Sequence, residues 1–121
     1  MTTFTSHTAR WPTALLWTAQ IAAAALFLFA GTLKLAGAAP MVQVFAAIGV
    51  GQWFRYVTGT IEIVSALLLL VPSLAFFGAS AMAATMIGAV ITHLAIVGGN
   101  PAPAIGLLAT TLAIAWARRP R

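Results

Sequence analysis

Long apolar stretches separated by short polar breaks dominate the chain. Residues 11–33 contain no Asp, Glu, Lys or Arg, and a helix of that length crosses the ~30 Å hydrocarbon core of a bilayer. Residues 63–117 also lack these four residue types, and Pro72 and the GGNP sequence at 98–101 divide that region. The pattern predicts four spanning helices, at residues 11–33, 53–70, 74–97 and 104–116.

A shorter apolar stretch lies between the first two predicted spans. Residues 40–52 include Pro40, Gly49 and Gly51, and the stretch is too short and too interrupted to cross a bilayer. An aromatic and basic group, WFRY at 53–56, follows it and is typical of the membrane–water boundary. The predicted fold is therefore all-α: a polytopic membrane protein with a bundle of four transmembrane helices, and a short interfacial or re-entrant helix between the first and second spans.

Composition and charge strengthen the membrane prediction. The chain is 62% hydrophobic and 6% charged, with a mean hydropathy of +1.04, whereas soluble domains are about 25% charged. We predict one transmembrane domain at residues 11–121, preceded by a polar, disordered cytoplasmic tail at 1–10. The basic residues are dispersed along the chain, which argues against a nucleic-acid partner. Arg10 and the C-terminal arginines outnumber Lys34 and Arg55, so both termini are predicted to be cytoplasmic.

Several kinds of chemistry are excluded or disfavoured by the residues present. The chain has no cysteine, which excludes thiol catalysis, disulfides and iron–sulfur clusters. Zinc needs three or four protein ligands, and Glu62 with His93 supplies two. The other histidine, His7, lies in the predicted tail, so a pair of axial haem ligands is not expected either. We expect no metal and no haem.

Glu62 is the only acidic residue, and it lies inside an apolar segment. If the second span begins at residue 53, the helical rise places Glu62 about 13 Å inside it. A carboxylate at that depth must be paired, hydrogen-bonded or protonated, and a functional site is the default hypothesis. Arg55 and Thr58 share its helix face. From depth alone we expect His93 to be its first partner and Lys34 the second.

The candidate residues for ligand binding or proton exchange are thus Glu62, His93, Lys34, Arg55 and Thr58. Each also has a purely structural interpretation. Lys34 and Arg55 are long enough to extend to lipid headgroups, and His93 is placed to donate to a backbone carbonyl. Gln20 lies in the cytoplasmic half of the first span, and it would reach this cluster only with a substantial offset between the helices.

Short sequences along the chain resemble the DoxX-like family of small four-helix bacterial membrane proteins. They are FAGTLKL at 29–35, FAAIG at 45–49, GTIEIVSALLLLVP at 59–72, and MIGA at 86–89 followed by THL at 92–94. The resemblance implies a compact bundle with its glycine–lysine and glycine–glutamate positions facing inward, in the bacterial inner membrane. Relatives include the membrane subunit of a thiosulfate:quinone oxidoreductase and a component linked to oxidative stress and thiol metabolism.

The resemblance therefore favours a membrane subunit of a redox-linked assembly, with a polar intramembrane pocket for quinone or a lipid-like small molecule. Its expected partners are membrane lipid and a redox enzyme subunit. Two alternatives stay open. One is a small proton-coupled transporter that uses Glu62, although multidrug exporters of this size carry their acid in the first helix, where this chain has Gln20. The other is a non-catalytic membrane assembly partner. The sequence leaves open whether the chain is an enzyme.

Overall fold

Helices make up the regular structure of residues 12–120, the part of the chain that the computed structural model describes. They are α1 (Thr13–Ala36), α2 (Ala39–Ile48), α3 (Trp53–Leu69), α4 (Ala75–Thr92) and α5 (Ala102–Ala117). A 3-10 turn, Pro72–Leu74, precedes α4, and a π-helical turn, His93–Val97, extends it. The all-α prediction is confirmed. The predicted tail at 1–10, which contains His7, lies outside the described residues.

Within residues 12–120, two helical segments are long and apolar enough to cross a membrane, by length and composition. They are Thr13–Ala36 and Pro72–Val97. The predicted span at 11–33 is extended at its end, because α1 continues to Ala36 and stops at Gly37. Gly37 adopts a left-handed conformation with φ 74°, and the Ala38 N–H donates back to the Leu33 carbonyl at 3.0 Å. This is a Schellman-type helix end, which glycine favours because it has no Cβ.

Four of the helices pack as a ring, in which α1 contacts α3, α3 contacts α4, α4 contacts α5, and α5 contacts α1. Helix α2 lies at the end of this ring where α1 ends and α3 begins, and it also contacts the π-helical turn. We call this end the α2 end of the bundle. The opposite end, where α5 finishes, is the tail end.

Helices α1 and α3 are in tight contact at two glycines, Gly31 and Gly59, which we call the glycine crossing. A Cβ atom added to Gly31 would lie 2.8 Å from the Gly59 carbonyl oxygen, and one added to Gly59 would lie 3.1 Å from the Gly31 carbonyl oxygen. Larger side chains at these positions would hold the two backbones apart. Lys34 and Glu62 each follow one of these glycines by three residues and so lie on the same helix faces. The glycine crossing therefore brings the lysine and the glutamate together.

Several polar and charged side chains are buried inside the bundle, and many large apolar ones are exposed on its outside. Phe29 is 65% exposed, and many other large apolar residues are exposed along the helices. The buried polar and charged side chains are Gln20, Arg55, Glu62, Ser65 and Thr111. Soluble proteins usually bury such apolar residues and expose charged ones. This distribution suits apolar surroundings.

Candidate functional site

Lys34 and Glu62 form an ion pair between α1 and α3, with Nζ 3.0 Å from Oε1. The Glu62 side chain is 2% exposed and that of Lys34 is 13% exposed. The expectation that His93 would be the first partner of Glu62 was wrong. The reason is lateral packing: the glycine crossing places the start of the Lys34 side chain against α3, whereas His93 extends from the end of α4.

His93 bonds to its own helix instead. Its Nδ1 lies 2.9 Å from the Ala89 carbonyl oxygen, one turn earlier. With the proton on Nδ1, the ring donates to that carbonyl, and Nε2 is left as a hydrogen-bond acceptor. No hydrogen bond joins His93 to Glu62 among residues 12–120, yet both line the same cavity.

Arg55 holds the end of α1 against α3. Its guanidinium Nη1 donates to the Lys34 carbonyl, and its Nε donates to Gln52 Oε1 at 2.7 Å. The side chain is 5% exposed and covers the Tyr56 ring at 4.4 Å. The carbonyl end of a helix carries partial negative charge, so a cation is favourable there. Arg55 thus fixes the backbone of Lys34, and it is not among the residues that line the cavity.

The cavity has a volume of about 530 Å³ and lies beneath α2, between α3 and α4. Its wall includes Lys34, Thr58, Glu62 and His93, so four of the five predicted site residues meet there. The Thr58 hydroxyl donates to the Phe54 carbonyl at 2.9 Å, which leaves its oxygen free to accept. Cavities of about 300–1,000 Å³ that are mostly apolar with a few polar groups are typical of small-molecule sites.

Most residues of the cavity wall were not among the site residues predicted from the sequence. Helix α2 contributes apolar side chains, and α4 contributes small and flexible ones; those of α2 are Met41, Val44, Phe45 and Ile48, and those of α4 include Thr85, Met86 and Ala89. The sequence of α4 held one usable signal, because residues 85, 89, 92 and 93 recur at helical spacing and so share a face. The polar residue of α2, Gln43, is exposed and does not line the cavity, so α2 carries no polar signal of the site.

The ion pair retains unused hydrogen-bonding capacity. Apart from Lys34, no donor within residues 12–120 bonds to the buried Oε1 of Glu62. The lysine ammonium has three N–H groups, and the contact with Glu62 engages one of them. A molecule in the cavity would therefore meet both donors and acceptors beside an apolar wall. This arrangement suits a neutral head group with hydrogen-bonding atoms.

A second buried polar cluster lies at the tail end. Gln20 is fully buried, and its Nε2 donates to the Leu69 carbonyl at 2.8 Å. Arg118 Nε donates to Gln20 Oε1 at 2.9 Å, and its guanidinium lies 5.5 Å from the Trp17 ring centre. These bonds tie the end of α5 to α1 and to the end of α3. Gln20 is therefore bonded at the tail end, apart from Glu62.

The fold and the site together define a small all-helical bundle with an internal ion pair beside an apolar cavity. The chain belongs to the DoxX-like family, whose family model matches residues 18–118. This confirms the resemblance carried by the glycine–lysine and glycine–glutamate sequences, and the family is membrane-associated. No curated protein and no solved structure matches the chain significantly.

Proposed function

We propose that the protein is an integral membrane protein in which α1, α3, α4 with its π-helical turn, and α5 cross the bilayer. Its apolar exterior and its buried charges support this, because charged side chains within a bilayer face the bundle interior. Helices α3 and α5 have 17 and 16 residues and are about 25 Å long, which a slightly thinned bilayer accommodates. Helix α2 would lie at the membrane surface.

The proposed location is the bacterial inner membrane, with both termini in the cytoplasm. At the α2 end, Lys34 and Arg55 are engaged inside the bundle. At the tail end, Arg118, Arg119 and Arg121 follow α5 closely in the sequence. An excess of Lys and Arg marks the cytoplasmic side of membrane proteins. The cavity would then lie in the outer half of the bilayer.

The cavity is proposed to bind a small amphipathic molecule of the quinone or lipid-like class. The observation that carries this proposal is the Lys34–Glu62 pair, which lines an apolar cavity of about 530 Å³ while part of its hydrogen-bonding capacity is unused. A quinone carbonyl would accept from the Lys34 ammonium, and the ring would pack against apolar residues such as Phe45. Family membership favours a subunit of a redox-linked assembly as the setting for this binding.

The two alternative functions are less well supported. A carboxylate that carries protons across a membrane must alternate between charged and neutral forms, whereas here Glu62 is held 3.0 Å from a lysine. An assembly partner without a ligand would have no use for a cavity lined by this pair. Ligand binding accounts for both the ion pair and the cavity that it lines.

Binding to the purified protein in lipid nanodiscs tests the proposal. The probe is a benzoquinone with a ten-carbon tail, titrated by calorimetry against the wild type, Lys34→Met and Glu62→Gln. Loss of one hydrogen bond to a charged group corresponds to about 1.5–3 kcal/mol, so we expect affinity to fall at least about tenfold in each variant. Gln20→Leu is the matched control, because it alters a buried polar residue at the other end of the bundle. Unchanged affinity in both site variants would refute the proposal.

A further inference from the structure

The cavity reaches the outer surface of the bundle between α3 and α4. Three residues of its wall, Ile61, Ala84 and Gly88, are also exposed on the outside of these helices. Among residues 12–120, and apart from the adjoining backbone of its own helix, no atom lies within 4 Å of the position that a Cβ of Gly88 would take. We call these three residues the side opening. None of the three residues has a polar side-chain atom, so a molecule that passes between them meets no polar side chain.

The end of the cavity, in contrast, is covered by α2. Phe45 of α2 is 5% exposed, and its ring meets that of Phe54 edge-on, with 5.7 Å between the centres. The Gln52 side chain donates to the Val42 carbonyl at 3.1 Å, which ties α2 to the start of α3. Helix α2 also contacts the π-helical turn. Access from the α2 end would require these contacts to break, whereas the side opening is already present.

We propose that the ligand is a single-tailed amphiphile that enters from the bilayer through the side opening. Its head group bonds to Lys34 and Glu62, and its hydrocarbon tail extends between α3 and α4 past Gly88 into the lipid. This inference rests on the proposed ligand-binding function and narrows it to one class of ligand and one route. The absence of a side chain at Gly88 provides the space through which the tail passes.

The chain offers a matched pair of variants. Gly88 and Gly106 are both exposed helix glycines, and in the described part of the chain no neighbouring atom lies within 4 Å of a Cβ added to either. Of the two, only Gly88 lines the cavity. Replacing either glycine by leucine favours helix formation in the same way. Gly88→Leu places a bulky side chain in the side opening, and Gly106→Leu places one on the outside of α5. Any difference between the two variants therefore reports on the opening.

The experiment compares two quinone probes in nanodiscs, one with a ten-carbon tail and one with the same ring and no tail. Each dissociation constant is calculated from the concentration of the probe within the bilayer. Moving a hydrocarbon tail from lipid to an apolar protein surface changes its free energy little, so the tail itself should add little affinity on this scale. For the wild type we expect the two affinities to agree within about threefold. For Gly88→Leu we expect the tailed probe to bind at least about tenfold more weakly and the tailless probe to change less than about twofold. Gly106→Leu should leave both unchanged. Free energies of about 1.4 kcal/mol correspond to each tenfold change.

Each other outcome overturns the inference in an identifiable way. Unchanged binding of the tailed probe to Gly88→Leu would show that the tail does not pass through the side opening. Equal loss of both probes would place the head group, and not the tail, at Gly88. In both cases the ligand-binding function would stand if Glu62→Gln still weakened the tailless probe. Failure of both probes to bind the wild type would reject the proposed function itself. Binding of the tailed probe alone would contradict the expected agreement between the two probes and overturn the inference.

Discussion

Removing one member of the Lys34–Glu62 pair should destabilise the bundle more than removing both. At 3.0 Å, and with an effective dielectric constant of about 20, the attraction between the two charges is roughly 5 kcal/mol, most of which offsets the loss of their hydration. Lys34→Met leaves a carboxylate that is 2% exposed without its partner, a change that costs about 3–5 kcal/mol. Glu62→Gln should cost less, because Lys34 is 13% exposed and can turn its ammonium towards the surface.

A double-mutant cycle measures this coupling. The wild type, Lys34→Met, Glu62→Gln and the double variant are unfolded in mixed micelles, and the unfolding free energy of each is determined. We expect the double variant to be more stable than the sum of the single changes predicts, with a coupling energy of at least about 1 kcal/mol. A parallel cycle on Gln20→Leu and Lys34→Met should be additive within about 0.5 kcal/mol, because these residues lie at opposite ends of the bundle. Additivity in the first cycle would refute the claim that the two charges depend on each other.

Three further changes test other parts of the structure. Gly31→Ala should lower the unfolding free energy by about 1–3 kcal/mol, because the added Cβ would lie 2.7 Å from Ile63 Cγ1 and 2.8 Å from the Gly59 carbonyl oxygen. The control Gly106→Ala should be neutral or stabilising in the same assay. Arg118→Ala should lower the unfolding free energy by about 1–2 kcal/mol, because it leaves the buried Gln20 oxygen unpaired. Quinone affinity should stay unchanged, and a matching loss of affinity would contradict the separation of the two polar clusters. The thiols introduced by Asn100→Cys and Pro120→Cys should react with impermeant thiol reagents from the periplasmic and cytoplasmic sides respectively. Labelling of both from one side would refute the proposed crossing.

The helices could be predicted from the sequence because local signals set their ends. Proline and glycine mark the break between α3 and α4 and the break before α5. Each of these residue types alters the backbone only within a few residues of its own position. The end of α1 was misjudged by three positions, because the prediction stopped at the charge of Lys34. The structure continues to Gly37, where the left-handed backbone ends the helix. Charge is a weaker stop signal than glycine here, because the lysine side chain turns into the bundle.

The partner of Glu62 was harder to predict, because depth along a helix says nothing about which helix lies beside it. Helix neighbours depend on where backbones approach, and that depends on small residues on facing surfaces. The sequence did contain this information, since a glycine precedes both Lys34 and Glu62 by three residues. The role of Arg55 had no comparable signal. Its target is the Lys34 carbonyl, and that contact exists only once α1 and α3 have packed.

The retention of a buried ion pair argues for a role beyond holding the helices together. Replacing such pairs by apolar residues of similar size is often neutral or stabilising, so stability alone is a weak reason to keep Lys34 and Glu62. The glycine crossing already brings α1 and α3 into contact without them. What the pair adds is a donor and an acceptor on the wall of an apolar cavity. A Lys34→Met and Glu62→Leu double variant should therefore fold about as stably as the wild type and fail to bind the tailed quinone. A variant that unfolds instead would show that the pair is needed for the fold itself.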